Sequence, residues 1–177
     1  MSEPKNILID NHGRRVNYLR LAVTDRCNLR CFYCMPEEGI KYVDRNDLMS
    51  FEEMLRVANI LSGLGVNKVR ITGGEPFVRK GMPEFIDSLN QLPGIDDIRL
   101  TTNGTVSGAL IPDFRRMGIR GVNLSLDSLD RDRFFAITRR DSLPEVIESM
   151  EALKEAGIPT KVNAVVMAGR NTADLLA

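Results

Sequence analysis

Regular alternation of strands and helices is the feature of this sequence that most constrains its fold. Five short β-prone segments are predicted at about 18–23, 66–71, 97–101, 119–126 and 159–167. Helices are predicted between them at about 51–63, 82–91, 107–116, 130–137 and 144–156, and residues 171–177 look like the first turn of another helix. This order is typical of parallel βα units. We therefore predict an α/β fold, an open and partial TIM-like barrel, with a doubly wound sheet as the alternative.

The clearest local signal lies at the start of the first helix. Ser50 can cap that helix, and Glu53, three residues later, completes a capping box. Pro144 and Gly157 mark the start and the end of the last full helix in a similar way. Five βα units are too few to close an eight-stranded barrel. We therefore expect residues 1–177 to be a fragment of a barrel domain that lacks the last strand.

Size and charge exclude several classes of protein. The 177 residues are 43% apolar, which is enough for one domain with its own core. Positive and negative charges balance to zero, so no global attraction to nucleic acid or to a membrane surface is expected. The sequence shows no apolar run long enough to span a bilayer and no secretory signal at its start. We expect a cytoplasmic protein.

The three cysteines of the sequence lie within eight residues, directly after the first predicted strand. Cys27, Cys31 and Cys34 have the spacing C-x3-C-x2-C. An odd and clustered set is a poor disulfide framework and usually indicates a metal. Three thiolates at this spacing can bind three irons of a cubane and leave the fourth iron open. The alternatives are a zinc site, for which the distant His12 is a poor fourth ligand, and chance clustering of buried cysteines.

Polar and glycine-rich clusters follow the other predicted strands. They are Gly-Gly-Glu-Pro at 73–76, Thr-Thr-Asn-Gly at 101–104 and Ser-Leu-Asp at 125–127. In parallel α/β folds, ligands bind at the carboxyl ends of the strands. We therefore predict that these clusters and the cysteine loop converge on one composite site.

The cysteine spacing, with Tyr33 before the last cysteine and the glycine turn at 73–76, resembles the radical S-adenosylmethionine superfamily. In that superfamily, S-adenosylmethionine chelates the open iron of a [4Fe-4S] cluster and is cleaved to a 5′-deoxyadenosyl radical. Longer segments are similar to the N-terminal portion of the molybdenum cofactor biosynthesis protein A family, the GTP 3′,8-cyclases. These segments are 14–36, 68–76, 100–104, 122–127 and 161–163.

The resemblance implies a role for particular residues, and no catalytic acid or base is among them. The cluster would be bound by Cys27, Cys31 and Cys34, S-adenosylmethionine by Tyr33, Gly74 and Ser125, and GTP by Arg20, Arg70, Thr101 and Lys161. The chemistry agrees for the cations, because a triphosphate carries about four negative charges and arginine offers forked donors. Gly74 would let the backbone approach the methionyl amino group, and Glu75 would place a negative charge near it.

The alternatives to these roles are structural. Arg20 and Arg70 could form salt bridges with acidic neighbours, and Arg70 could also be a solvated edge residue. Thr101 and Ser125 could simply cap helices. The place of Lys161 depends on the register of the fifth strand.

The implied reaction converts GTP to (8S)-3′,8-cyclo-7,8-dihydroguanosine 5′-triphosphate and makes the protein a lyase. Members of the family are about twice as long and hold a second [4Fe-4S] cluster on three C-terminal cysteines, which this sequence does not contain. We therefore expect the chain alone to be inactive in cyclisation. A small-protein or flavodoxin-type reductant is the expected partner, and exposed apolar edge surface would favour a homo-oligomer.

Two other functions fit part of the sequence. Another radical S-adenosylmethionine enzyme, such as a peptide-modifying maturase, would share the cysteine loop and the glycine turn. It would have no reason to place Arg20, Arg70 and Lys161 together. A non-catalytic metal-binding domain, structural or electron-transferring, would need only the cysteines.

Overall fold

Five parallel strands form one sheet in the computed structural model, which describes residues 7–36 and 38–175. The strands are β1 (Tyr18–Ala22), β2 (Lys68–Thr72), β3 (Asp97–Thr102), β4 (Ile119–Ser125) and β5 (Thr160–Asn163). Their order in the sheet, β1-β2-β3-β4-β5, is their order along the chain. A doubly wound sheet reverses its strand order at a switch point, whereas the strands of a barrel follow the chain. The predicted partial TIM-like barrel is confirmed.

Helices cover one side of this sheet. They are α1 (Phe51–Gly63), α2 (Met82–Asn90), α3 (Arg131–Thr138) and α4 (Leu143–Glu155). The capping box predicted for α1 is present, since Glu53 N donates to Ser50 Oγ at 3.2 Å and Ser50 N donates to the Glu53 carboxylate at 2.7 Å. In the part of the chain that the structure describes, no helix is long and apolar enough to cross a membrane.

The prediction of an α-helix at 107–116 is wrong. The chain forms a 3-10 helix there, Gly108–Asp113, with Pro112 inside it. Proline has no N–H to donate and its ring clashes with the preceding turn of an α-helix, while Gly108 weakens helix formation further. The turn still contributes to the core, because Ile111 and Phe114 are fully buried.

The last strand is shorter than the predicted 159–167. β5 ends at Asn163, which is paired with Ser125, the last residue of β4. Beyond that point β4 offers no further backbone partner, and Val165 N donates instead to Asp127 Oδ1 at 2.7 Å. The 3-10 turn Thr172–Leu175 agrees with the helical turn predicted at 171–177, of which residues 176 and 177 lie outside the described part.

Alternate residues of the strands form two very different faces. On the outer face, which packs against the helices, the side chains are apolar and buried; they are Leu21, Val69, Ile71, Ile98, Leu100, Val122 and Leu124. On the opposite, inner face of β1, β2 and β3, most side chains are polar and all are at least partly exposed. The register places Arg20 beside Arg70 and Arg70 beside Arg99 on this inner face.

Candidate cofactor and substrate site

The cysteine loop follows β1 and is anchored by backbone hydrogen bonds to the end of α3. Arg30 N and Phe32 N donate to the carbonyls of Thr138 and Ile137, at 2.9 and 3.0 Å, in the last turn of α3. The last turn of a helix has carbonyls without partners in the helix, and this loop supplies the donors. The anchoring fixes the loop above the carboxyl ends of β1 and β4.

Three thiols face partly outward from this loop. Cys27 and Cys31 are half-buried and Cys34 is exposed. Burial raises the pKa of Cys27, and burial together with the charge of Asp127 raises the pKa of Cys31 to about 11. Cluster binding therefore has to displace protons from these thiols.

The donor set fits a cluster of several irons. Within residues 7–36 and 38–175, no three His, Cys, Asp or Glu side chains come close enough to hold a single metal ion. The thiolates around a cubane bind different irons, so that finding concerns single ions only. Three thiols on one partly desolvated loop, with no fourth cysteine in the sequence, match a cubane with one open iron.

The glycine turn after β2 packs directly against the start of the cysteine loop. Gly74 N donates to the carbonyl of Thr24 and Glu75 N to that of Arg26, both at 2.8 Å. A Cβ on Gly74 would overlap the backbone of Arg26, and one on Gly73, whose φ is +147°, would overlap that of Thr24. The structure thus explains why glycine is required at both positions: the two loops are in close backbone contact, which could not be seen from the sequence.

Glu75 is fully buried and joins the loops after β2 and β3. Its carboxylate accepts from Thr102 Oγ1 at 2.9 Å, from Asn103 N at 2.7 Å and from Phe77 N at 3.2 Å. Burial raises the pKa of Glu75 more than these donors lower it. Since its oxygens already accept hydrogen bonds from the protein, the carboxylate connects the two loops, a role that was not predicted from the sequence.

Asp127 performs a similar task on the other side of the site. It accepts from the hydroxyl of Tyr33 and from Val165 N, both at 2.7 Å, and its carbonyl accepts from the Asn171 amide at 2.8 Å. Burial and the bond to Asp127 raise the pKa of Tyr33. The cysteine loop is thereby joined to the ends of β4 and β5. Asp127 belongs to one of the polar clusters predicted from the sequence, but no role was predicted for it.

The residues predicted to bind substrate lie on the inner face and in adjoining rows. Arg20 is the direct register partner of Arg70, and Asn123 is the partner of both Thr101 and Lys161. Arg70 donates through Nε to the Tyr18 hydroxyl at 2.6 Å and through Nη1 to Thr101 Oγ1 at 3.4 Å.

Cations outnumber carboxylates on the paired strands of this face. The cations are Arg20, Lys68, Arg70, Arg99 and Lys161, and the carboxylate is Asp97. Asp97 pairs with Lys68 and Arg99 at 3.1 and 3.0 Å. Burial acts to raise the pKa of Asp97, but these two partners outweigh it and lower that pKa. Of the ion pairs between described residues, none includes Arg20, Arg70 or Lys161, so the salt-bridge alternative is not supported.

The residues predicted to bind S-adenosylmethionine lie at the carboxyl edge of the sheet. Gly74 follows β2, Ser125 ends β4 on the inner face, and Tyr33 belongs to the cysteine loop. A separate cavity of about 530 Å³ opens between the cysteine loop and the start of α1; its lining includes Arg26, Ser50 and Lys80 and none of the predicted site residues. The residues predicted to bind S-adenosylmethionine and GTP lie outside this cavity, on the inner face of the sheet, at its carboxyl edge and in the cysteine loop.

A parallel barrel sheet with a three-cysteine loop at its carboxyl edge defines a class of metal-dependent enzyme. The model of the radical SAM superfamily matches residues 21–177. The chain belongs to this superfamily. The cofactors that characterise it are a [4Fe-4S] cluster and S-adenosylmethionine, and the cysteine loop fits the first of these.

The chain is also similar to curated proteins named GTP 3′,8-cyclase. The chain is 47% identical over 169 residues to a GTP 3′,8-cyclase of Geobacter sulfurreducens, covering 95% of this chain and 52% of that protein. It is 48% identical over 164 residues to a GTP 3′,8-cyclase of Thermodesulfovibrio yellowstonii, covering 92% of this chain and 51% of that protein. The chain thus spans about half the length of the curated relatives it matches.

Solved structures with low sequence identity share the fold. SuiB of Streptococcus suis, bound to precursor peptide SuiA, superposes with a TM-score of 0.71 at 20% identity, over 90% of this chain and 36% of that one. Methylornithine synthase gives a TM-score of 0.71 at 15% identity, over 97% of this chain and 48% of that one. At these identities the likeness concerns the barrel alone.

Proposed function

We propose that this chain functions as part of a GTP 3′,8-cyclase, a lyase of molybdenum cofactor biosynthesis. GTP would be converted to (8S)-3′,8-cyclo-7,8-dihydroguanosine 5′-triphosphate. One observation supports this most strongly: Arg20, Arg70 and Lys161 share the inner face of the sheet and form no ion pair among the described residues. Cations that share one face and have no carboxylate partner favour an anionic ligand, and a triphosphate is strongly anionic.

The cysteine loop would hold the cluster through Cys27, Cys31 and Cys34. When bound, the cluster and S-adenosylmethionine supply the one-electron chemistry that removes the hydrogen atom from C3′ of the ribose. Gly74 and Ser125, at the ends of β2 and β4, would bind S-adenosylmethionine at the carboxyl edge of the sheet. Tyr33 would contribute its backbone and ring, because its hydroxyl is used by Asp127.

The inner face would bind the nucleotide below that edge. Arg70 is held from two sides by Tyr18 and Thr101, so its guanidinium is oriented before a ligand arrives. Arg20 on β1 and Lys161 on β5 would approach the phosphates as further cations. The task of these residues is to hold the ribose beside the cofactor and to exclude water from it.

GTP binding tests this proposal directly. In the anaerobically reconstituted chain, Arg20→Ala and Arg70→Ala should each weaken GTP binding by about 10- to 100-fold in equilibrium dialysis, because hydrogen bonds to charged groups contribute about 1.5–3 kcal/mol. Arg116→Ala is the matched control, since Arg116 pairs with Asp87 and Asp113 away from the inner face. Equal affinity in all three variants, or no GTP binding by the wild type, would overturn the proposal.

Release of 5′-deoxyadenosine separates this function from non-catalytic metal binding. With dithionite and S-adenosylmethionine, the reconstituted chain should release it, and Cys31→Ala should not. A colourless protein with stoichiometric zinc would support a structural metal site instead.

The remaining expectations stay predictions. They are a cytoplasmic location, a flavodoxin-type or other small-protein reductant, self-association, and a barrel domain over residues 1–177. The second [4Fe-4S] cluster is likewise a prediction, which concerns a longer chain. Size-exclusion chromatography with light scattering would test self-association.

A further inference from the structure

Asn103 lies directly after β3 and is held in place by its backbone. It is 8% exposed, and its N–H donates to the buried carboxylate of Glu75 at 2.7 Å. Its side chain belongs to a closed ring of hydrogen bonds with two other side chains, Asn28 of the cysteine loop and Thr105. The ring therefore connects the loop after β3 with the loop that bears the cysteines.

The ring fixes the orientation of both amides. Thr105 N can only donate, and it donates to Asn103 Oδ1 at 3.0 Å, so the NH2 group of Asn103 faces the other way. That NH2 group donates to Asn28 Oδ1 at 2.9 Å. Asn28 Nδ2 then donates to Thr105 Oγ1 at 2.6 Å, and this hydroxyl donates to Asn103 Oδ1 at 2.7 Å. Flipping either amide would place donor against donor.

One amide proton of Asn103 remains after the ring is closed. It faces Cys27 Sγ, with 3.7 Å between nitrogen and sulfur, which is a hydrogen bond for a sulfur acceptor. Cys27 is half-buried, so little solvent competes for this contact. Burial is the main cause that raises the pKa of Cys27, and the bond from Asn103 acts against it by stabilising the thiolate.

We propose that Asn103 tunes the reduction potential of the [4Fe-4S] cluster by donating its side-chain N–H to the sulfur of Cys27. The inference rests on the proposed role of Cys27 as a cluster ligand. A donor on a cluster sulfur stabilises the reduced state, which has the more negative charge, and so raises the reduction potential. The negative charge of Glu75 acts to raise the pKa of Cys27. The same carboxylate accepts a hydrogen bond from the backbone N–H of Asn103 and so holds this residue in place. Asn103 is thus a positioning residue of the cluster.

Two variants distinguish the effect of the N–H donor of Asn103 from the effect of the hydrogen-bond ring. Asn103→Leu has similar size and no charge, but removes the N–H that faces Cys27. Thr105→Val opens the same ring by removing its hydroxyl and leaves that N–H in place. At a fixed potential, the ratio of reduced to oxidised cluster should fall several-fold in Asn103→Leu. A tenfold fall corresponds to about 59 mV for one electron. The ratio should stay near the wild-type value in Thr105→Val, and equal ratios in wild type and Asn103→Leu would overturn the proposal.

A spectroscopic measurement on the wild type does not depend on a variant that folds. With asparagine side chains labelled with ¹⁵N, pulsed EPR of the reduced cluster should show a hyperfine coupling to nitrogen before S-adenosylmethionine is added. The coupling should persist in Thr105→Val. An intact cluster without it would overturn this inference alone, whereas failure of the wild type to assemble any cluster would contradict the proposed function as well.

Discussion

The two faces of the sheet are built from the same strands but behave differently. In β2, Val69 and Ile71 point to the outer face and are completely buried, whereas Lys68 and Arg70 alternate with them on the inner face and are partly exposed. Parallel sheets usually have apolar side chains on both faces. The difference indicates that the outer face provides stability and that the inner face is built for a polar ligand.

Adjacent residues of β3 provide the sharpest test of this division. Leu100→Ala on the outer face should lower the free energy of unfolding by about 2–5 kcal/mol, because it leaves a cavity in a fully buried site. Thr101→Ala on the inner face should change it by less than about 0.5 kcal/mol. Urea denaturation of the cluster-free chain followed by circular dichroism measures both, and equal losses would contradict the division.

Substitution in the glycine turn after β2, at the carboxyl edge of the sheet, should have the next largest effect on stability. Gly74→Ala forces a Cβ against the backbone of Arg26, and we expect a loss of about 1–3 kcal/mol in the free energy of unfolding. Gly63→Ala is the control, since nothing lies within 4 Å of a Cβ at the end of α1. Thermal unfolding of the two variants should therefore differ clearly, and a neutral Gly74→Ala would show that the turn can move.

The paired charges of the inner face should contribute less. The pKa of Asp97 is lower in the folded protein than its usual 3.8, so its contribution to stability is present above that pH and is lost as the pH falls through the lowered pKa. In Asp97→Asn the contribution is absent, at most about 1 kcal/mol for such partly exposed pairs. The difference in urea midpoint between wild type and variant should shrink as the pH falls below 3.8. A constant difference would contradict this account.

The smallest effect should have the opposite sign. Arg20 lies beside Arg70 without a carboxylate partner among the described residues, so Arg20→Met should stabilise the ligand-free chain by a few tenths of a kcal/mol at low salt. The gain should vanish in high salt, because screening removes the repulsion. Lys68→Met, which removes one of the two cationic partners of Asp97, should instead be slightly destabilising, and the same sign in both variants would contradict the charge argument.

Local patterns explain what the sequence could predict. The capping box of α1 and the approximate positions of the five strands depend on residues close together in the chain, and both were predicted correctly. The prediction of an α-helix at 107–116 was wrong because Pro112 and Gly108 both disfavour an α-helix there. Resemblance, rather than spacing, indicated Arg20, Arg70, Thr101 and Lys161, and the register then placed them on one face.

The hydrogen bonds that connect the loops could not be predicted, because the partners are distant in the chain. Glu75 meets Thr102 across 27 positions, Asn103 meets Cys27 across 76, and Tyr33 meets Asp127 across 94. Each contact depends on which loops the sheet order brings together. A sequence pattern shows that these residues follow strands, but not which side chain turns into the protein.

The anchoring of the cysteine loop on α3 has a consequence for biosynthesis. Arg139, at the end of α3, also donates to the carbonyl of Met35, across 104 positions of the chain. At ordinary rates of translation, those 104 residues take roughly 5–20 s to be made. Until α3 has been made, the cysteine loop lacks the contacts that shape it. We therefore expect the cluster to be inserted only after most of the sheet has been synthesised.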